Sequence, residues 1–246
     1  MRIKLITIPN LLTLSNLLCG SLAVVAALVW EDLLAAFWLI IAAAVCDFFD
    51  GFAARLLRQT SPIGVELDSL ADDISFGFAP AAILFTLYAQ SPAGIELSAG
   101  ALAYGQYMVF IMAAFAALRL AKFNIDDTQH TEFCGLPTPA NALFCASLGL
   151  LAQTEGLVLS KITILIIVVV MSWLLVSPIR MFALKFAGFG WHGNELKYSF
   201  IIASIVLAIV LQMQAVPVII LFYIALSTLR WLWRLKANGS NDCPKA

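Results

Sequence analysis

The sequence has little charge for its length. Of its 246 residues, 14 are Lys or Arg and 15 are Asp or Glu, which gives a net charge of −1. This balance offers no basic surface of the kind that binds nucleic acid, so no nucleic-acid partner is expected. Only 12% of the residues are charged and 62% are hydrophobic. A soluble globular domain does not have this composition.

The sequence also lacks the patterns of nucleophilic and thiolate-metal chemistry. Its two histidines, His130 and His192, stand beside no Ser or Cys motif that would pair with a base. The five cysteines are odd in number, and their spacings match no metal-ligand pattern. We therefore expect the cysteines to be small packing residues, without a structural disulfide.

Long apolar runs dominate what is present. Each is about 20 residues long, which is the length that crosses a hydrocarbon core. Charged residues, prolines and glycines separate these runs, and they predict an all-α, polytopic bundle of about eight transmembrane helices. The predicted spans are roughly 10–30, 33–58, 68–90, 98–123, 138–154, 161–185, 197–212 and 215–236. Residues 1–237 are expected to form one membrane domain and residues 238–246 a short polar tail.

The basic residues are divided very unequally between the two sets of predicted loops. Lys161 alone falls on one side, whereas the other 13 of the 14 Lys and Arg residues fall at or near the opposite side. Cytoplasmic loops carry the excess of Lys and Arg. The sequence therefore predicts a multi-pass protein of the inner (cytoplasmic) membrane with both termini in the cytoplasm.

Four aspartates stand within some of the most apolar sequence. Asp47 and Asp50 lie near the cytoplasmic end of the second predicted helix, and Asp68 and Asp72 near the start of the third. Residues three or four apart share one face of a helix, and the intervening turn lets the two helices run antiparallel. A carboxylate inside a membrane span costs several kcal/mol unless it faces water or a counter-ion. The four carboxylates are therefore predicted to converge in a functional site that opens to the cytoplasm.

The chemistry of such a site follows from its ligands and neighbours. Carboxylates at close range repel one another, and hard divalent cations, Mg²⁺ or Mn²⁺, suit oxygen ligands. Two such ions about 3.5–4 Å apart clamp both oxygens of a phosphoryl displacement. Gly51 and Ala54 leave room for a bulky ligand near the backbone, and Arg55 offers a guanidinium fork to a phosphate oxygen.

Two alternatives remain open for these residues. Any one of the aspartates can be a structural contact in a helix interface. A carboxylate-lined membrane protein can also be a divalent-cation transporter, which is expected to carry polar residues along a path through the midplane. In this sequence the acids crowd one end of the helices, which favours chemistry over transport.

The string D-x2-D-G-x2-A-R-x8-G-x3-D-x3-D, from Asp47 to Asp72, resembles the signature of the CDP-alcohol phosphotransferase family, and every signature position is filled. The family transfers a phosphate or phosphatidyl group from a CDP-linked donor to an alcohol and releases CMP. The resemblance implies two metal ions held by Asp47, Asp50, Asp68 and Asp72, with Asp72 also accepting the proton of the acceptor hydroxyl. It implies a homodimer as well.

The resemblance also indicates which residues bind the donor. It implies that Gly51, Ala54 and Arg55 cradle the CDP moiety. Together with the Pro-Asn-x-x-Thr element of the first helix, the residues expected to bind CDP and phosphate are Gly51, Ala54, Arg55, Gly64, Asn10 and Thr13.

Further segments resemble the integral-membrane phosphatidylserine synthases of this family. They are residues 9–20, 119–124, 135–140 and 177–185. The resemblance implies CDP-diacylglycerol as donor, L-serine as acceptor and a reaction within the lipid membrane. Glycerol 3-phosphate or an inositol is the alternative acceptor.

The acceptor site is expected to involve Arg119, Asn124, Gly135, Pro137 and Arg180. A serine carboxylate needs a cationic partner, which Arg119 or Arg180 can provide. The alternative for both arginines is that they anchor the helix ends at anionic lipid headgroups.

Overall fold

The computed structural model describes residues 5–92, 104–126, 132–183, 190 and 194–238. Nine α-helices account for most of these residues, together with one two-stranded sheet. The helices are α1 Ile8–Leu28, α2 Leu33–Leu56, α3 Pro62–Asp72, α4 Ala79–Gln90, α5 Ile111–Ile125, α6 Thr138–Glu155, α7 Lys161–Val176, α8 Glu195–Leu211 and α9 Ala215–Asn238. The strands are β1 Glu132–Cys134 and β2 Arg180–Phe182, and they pair antiparallel. The helical fold class predicted from the sequence is confirmed for these residues.

Within the described ranges, five helical segments are long and apolar enough to cross a membrane. They are Ile8–Leu28, Leu33–Leu56, Pro62–Gln90, Gln106–Ile125 and Glu195–Lys236. The last segment contains both α8 and α9. The rings of Phe200 and Phe222 stack with centroids 5.7 Å apart, although a straight helix would separate them by about 33 Å. The chain therefore reverses near Gln212, whose φ is 47°, and the number of membrane crossings stays a prediction.

The third helix begins earlier than its apolar pattern predicts. Ser61 caps α3 by accepting a hydrogen bond from the backbone of Gly64 at 3.1 Å, and Pro62 occupies the first turn. Ser and Pro are favoured at these two positions. The predicted start at residue 68 is therefore wrong, and both Gly64 and Asp68 lie on the helix.

The sixth predicted span, 161–185, is also wrong after residue 176. Helix α7 ends at Val176, and the following Ser177 and Pro178 lead into strand β2. Proline disfavours helical backbone in the residue before it and lacks a donor of its own. Arg180 consequently pairs with Cys134 across the sheet. Cys134 is disulfide-bonded, so the expectation of unpaired cysteines is wrong at this position.

Three predicted segments fall partly outside the described residues. They are the start of the fourth span, up to residue 103, the last two residues of the sixth span, and most of the C-terminal tail. Helix α9 extends through Asn238, so the helical chain includes the first residue assigned to the tail.

The connections predicted to share one side of the membrane meet at one end of the bundle. Gln90 donates to Glu31 at 3.4 Å, and Gln153 donates to Asp32 at 3.1 Å. At the same end Ser91 donates to the backbone oxygen of Leu159 at 2.7 Å. Asp47 and Asp50 lie in the C-terminal half of α2, away from Asp32, and Asp68 and Asp72 lie in α3, which precedes a π-helical turn and α4. The site and these polar contacts therefore lie towards opposite ends of the bundle.

Helix α6 runs through the centre of the bundle. It packs against α2, α4 and α9, and the residues from Phe144 to Leu151 are all buried. Helices α3 and α4 form one rod, which is interrupted by a π-helical turn at Asp73–Phe78. π turns often occur at functional sites, and this one directly follows Asp72.

Candidate active site

Helices α2 and α3 bring three carboxylates together. Oxygens of Asp47, Asp50 and Asp68 all lie within 4.8 Å of one another. Asp50 is buried, and the other two are half-buried. This convergence results from the antiparallel course of the two helices, because each helix presents its acidic face to the other near their shared turn.

The fourth carboxylate lies beside this group but has different neighbours. Asp72 is one turn beyond Asp68 on α3 and is buried. Its Oδ1 accepts a hydrogen bond from Asn16 Nδ2 at 3.0 Å. Asp72 also interacts electrostatically with the other three aspartates. The structure thus forms a compact group of three carboxylates with a fourth next to it.

The group of three suits a divalent cation. All of its ligand atoms are carboxylate oxygens, which Mg²⁺ and Mn²⁺ prefer. The Oδ1 atom of Asp68 is buried and has no hydrogen-bond partner among the described residues. Since a buried carboxylate oxygen without a partner is costly, a bound cation would satisfy it.

Helix α1 contributes a polar edge to the site. Thr13 Oγ1 donates to Asp50 Oδ2 at 2.6 Å, and both residues are buried. Asn10 is buried near the start of the same helix, where its Nδ2 donates to the backbone oxygen of Leu5 at 2.8 Å. The Thr13 contact fixes the orientation of Asp50 and attaches α1 to α2.

The residues expected to bind the donor all line a single cleft, which they share with Asp50 and Asp68. They are Asn10, Thr13, Gly51, Ala54, Arg55 and Gly64. A Cβ atom added at Gly51 would have Arg55 Nη1, at 3.7 Å, as its nearest neighbour. The backbone of Gly51 is therefore open to a ligand, with the Arg55 guanidinium close by.

Arg119 is a buried cation near Asp72. It is only 7% exposed, and its Nη1 donates to Thr138 Oγ1 at 3.2 Å. Its guanidinium lies over the rings of Phe123 and Phe133, at 5.2 and 5.9 Å from their centroids. Nε has no hydrogen-bond partner among the described residues. Arg119 also interacts electrostatically with Asp72, so it provides a buried positive charge within electrostatic reach of that carboxylate.

The other residues predicted to bind the acceptor lie in the turn after β1, in β2 and at the end of α5. Gly135 has a φ of +83°, and a Cβ there would lie 2.2 Å from the backbone oxygen of Leu175, so the turn after β1 requires glycine. Pro137 caps the start of α6, directly before Thr138. Arg180 lies in β2, and Asn124 is exposed and donates to Ser69 Oγ at 2.7 Å. Gly135, Pro137 and Arg180 thus belong to the framework next to Arg119, whereas Asn124 joins α5 to α3.

Sequence reasoning missed two polar residues and one backbone feature of this region. Asn16 and Thr138 contact Asp72 and Arg119 directly, and the π turn begins at Asp73. A buried Asn in an apolar helix is a signal that could have pointed to Asn16. Asp73, the neighbour of Asp72 in the chain, is not one of the three grouped aspartates.

Comparisons with known proteins agree on one family. The family model described as CDP-alcohol phosphatidyltransferase matches residues 6–233. A CDP-diacylglycerol–serine O-phosphatidyltransferase of Helicobacter pylori (strain ATCC 700392 / 26695) is 32% identical over 235 residues, which cover 92% of this chain and 91% of that protein. The enzyme of the same name from Bacillus subtilis (strain 168) is 37% identical over 134 residues, or 54% of this chain and 69% of that protein. The one from Methanocaldococcus jannaschii is 36% identical over 140 residues, covering 57% and 59% respectively.

Proposed function

The chain belongs to the CDP-alcohol phosphatidyltransferase family, and on that premise we propose that it transfers a phosphatidyl group from CDP-diacylglycerol to L-serine. The products are phosphatidylserine and CMP. The observation that carries the proposal is the convergence of Asp47, Asp50 and Asp68 within 4.8 Å. Two of these residues, Asp50 and Asp68, line the same cleft as Gly51 and Arg55. The names of the similar proteins support serine as the acceptor.

The cleft suits a donor with a charged head and a lipid tail. The Arg55 guanidinium is available to a phosphate oxygen, and Gly51 allows the pyrophosphate to approach the backbone. On the neighbouring surface of α2, Phe48, Phe49 and Phe52 are 65%, 49% and 48% exposed. These rings provide an apolar surface for acyl chains beside the polar cleft, so the donor can stay in the membrane while its head reaches the carboxylates.

Asp47, Asp50 and Asp68 would hold the divalent cations, with Asp72 as a further ligand at the edge of the group. When bound, two such cations would neutralise the charge of the pyrophosphate and of its leaving group. Thr13 keeps Asp50 oriented through the 2.6 Å hydrogen bond to its Oδ2. The carboxylate oxygens therefore have fixed relative positions, which are set by the packing of α1, α2 and α3.

The transfer is a single displacement at phosphorus. The serine hydroxyl oxygen forms a bond to the phosphorus that carries diacylglycerol, while the bond from that phosphorus to the oxygen of CMP breaks. Asp72 accepts the hydroxyl proton, and the electron pair of the broken bond leaves with CMP. No Ser, Cys or His motif suggests a covalent enzyme intermediate, so one step transfers the group.

Arg119 is the best candidate to bind the serine carboxylate. Its Nε donor is buried without a hydrogen-bond partner among the described residues, and its charge interacts electrostatically with Asp72. Charge-assisted hydrogen bonds from arginine to carboxylates are strong. Thr138 holds the opposite side of the guanidinium. A serine bound in this way would have its hydroxyl close to the proposed base.

The proposal includes the orientation of the protein in the membrane and its assembly. Both termini and the active site lie on the cytoplasmic side of the inner membrane, where serine enters and CMP leaves. The protein acts as a homodimer.

The test offers purified protein one donor and several acceptors. CDP-diacylglycerol is incubated with Mg²⁺ or Mn²⁺ and with serine, glycerol 3-phosphate or inositol in turn, and CMP and the lipid product are measured. We expect serine to give rapid CMP release and phosphatidylserine. CMP release only with glycerol 3-phosphate or inositol would show that the acceptor is that alcohol and not serine. No CMP with any acceptor, together with divalent-cation uptake into liposomes, would favour the transporter.

A further inference from the structure

Asn16 contacts the proposed base without lining the donor cleft. It lies in the middle of α1 with 0% of its surface exposed, and its Nδ2 donates to Asp72 Oδ1 at 3.0 Å. The cleft beside it is formed by other residues of α1, including Asn10 and Thr13. The side chain of Asn16 is thus directed towards Asp72 rather than towards the donor.

The backbone around Asn16 is held by the π turn. Ser75 Oγ donates to the backbone oxygen of Asn16 at 3.0 Å, and Ser75 is completely buried. One turn further along α1, a Cβ atom added at Gly20 would lie only 2.6 Å from Ser75 Cα. The absence of a side chain at Gly20 therefore lets α1 approach the rod of α3 and α4 closely enough for Asn16 to reach Asp72.

Helix packing alone does not require an amide at this position. Asn16 Oδ1 is buried and has no hydrogen-bond partner among the described residues, which is unfavourable for a polar group. A leucine of similar size would fill the same space without that cost. Within the described part of the chain, the polar contact that compensates is the hydrogen bond to Asp72.

We propose that Asn16 is a positioning residue, which holds Oδ1 of Asp72 so that Oδ2 faces the acceptor hydroxyl and receives its proton. This inference rests on the proposed function, because Asp72 acts as a base only in the transfer reaction. Asn16 itself touches neither donor nor acceptor. Its removal therefore affects turnover through Asp72 and leaves donor binding intact.

The test compares Asn16→Leu and Asn16→Ala with Ser21→Ala. Ser21 is an exposed residue of the same helix, and its hydroxyl donates only to the backbone oxygen of Leu17. Because partners that orient active-site ligands typically contribute about 10–100-fold, we expect both Asn16 variants to lower kcat by that factor. Their Kd for CDP-diacylglycerol and their thermal midpoint should match those of Ser21→Ala. The alanine variant keeps the test valid where leucine disturbs packing.

A double-mutant cycle separates positioning from a structural role. Asn16→Leu and Asn16→Ala are each combined with Asp72→Asn, and single-turnover rates are measured at high enzyme concentration. If Asn16 acts through Asp72, its removal changes the rate by less than about 2-fold once Asp72 is replaced, because the two residues are coupled. The same 10–100-fold loss in the Asp72→Asn background would overturn the inference.

Two further results would also contradict the inference that Asn16 positions Asp72. A wild-type kcat in both Asn16 variants would show that the hydrogen bond does not matter for turnover, and an equal loss of donor affinity and kcat would indicate general damage to the site. A wild-type protein that makes no phosphatidylserine would overturn the proposed function and, with it, this inference. An active wild type with unaffected Asn16 variants would overturn the inference alone.

Discussion

Asp68 and Asp72 lie one helical turn apart, yet they have different surroundings. Asp68 belongs to the group of three converging carboxylates, and its buried Oδ1 has no partner among the described residues. Asp72 lies beside that group and bonds to Asn16. At the scale of single residues, this difference suggests that Asp68 mainly holds cations and that Asp72 mainly accepts a proton.

Replacing each aspartate by asparagine tests this division. Asp68→Asn should weaken Mn²⁺ binding and CDP-diacylglycerol binding together, because a cation ligand is lost. Asp72→Asn should retain most donor affinity but lower kcat by about 10²–10⁴-fold, which is the usual contribution of a positioned base. Donor binding by calorimetry and kcat with serine distinguish the two. Equal loss of donor affinity in both variants would show that Asp72 is only a ligand.

At the scale of the helices, α1 approaches the π turn closely. Gly20 lies against Ser75, and the hydroxyl of Ser75 bonds to the backbone of α1. On the other side of the turn, Gly77 lies against Ala116 of α5. Small residues on both sides allow the π turn to fit between two helices, so the position of Asp72 depends on contacts outside α3.

Gly20→Ala should disturb this packing. The added Cβ would lie 2.6 Å from Ser75 Cα, so the helices must separate, and overpacking of this kind typically costs about 1–3 kcal/mol. We expect a lower thermal midpoint and a lower kcat, since the contact from Asn16 to Asp72 lengthens.

Ser21→Ala, on the exposed side of α1, is the matched control and should behave like the wild type in both assays. Wild-type stability and turnover in Gly20→Ala would contradict the close packing of α1 on the π turn.

The sequence predicted the helices and the acidic cluster well because both depend on local patterns. Apolar runs located most of the helices, and the spacing of Asp47, Asp50, Asp68 and Asp72 predicted that their four carboxylates converge. The structure groups the first three within 4.8 Å and has Asp72 one turn beyond Asp68. The start of α3 was missed, although Ser61 and Pro62 form a recognisable cap. The strands β1 and β2 have three residues each, which is too short for a visible alternation. The contact of Asn16 with Asp72 joins residues 56 positions apart, so only the tertiary structure could reveal it.

For the molecule as a whole, the polar groups are divided between two ends. At one end Gln90 donates a hydrogen bond to Glu31, and Gln153 donates one to Asp32. The other end carries the acidic cleft with Arg55. The family resemblance drawn from the aspartate string is confirmed by a match over residues 6–233. The orientation of these two ends in the membrane stays a prediction from the distribution of Lys and Arg.

Cysteine labelling of intact cells tests that orientation. Single cysteines replace Arg58, near the cleft, or Ser91, at the opposite end, in a protein whose native cysteines are changed to alanine. Since the positive side faces the cytoplasm, a membrane-impermeant maleimide should modify position 91 and leave position 58 unmodified until the cells are opened. The cysteine-free parent gives the background. Labelling of position 58 in intact cells would reverse the orientation and the side from which serine enters.

The most direct test of the whole account measures how the transfer depends on divalent cations. The protein is stripped with EDTA and then titrated with Mn²⁺, and bound metal is followed together with phosphatidylserine made from isotope-labelled serine and CDP-diacylglycerol. We expect no product in excess chelator and a recovery that follows Mn²⁺ bound by the Asp47, Asp50 and Asp68 group, with Mg²⁺ also restoring activity. Full production of phosphatidylserine in excess chelator, with no tightly held metal by elemental analysis, would contradict the account.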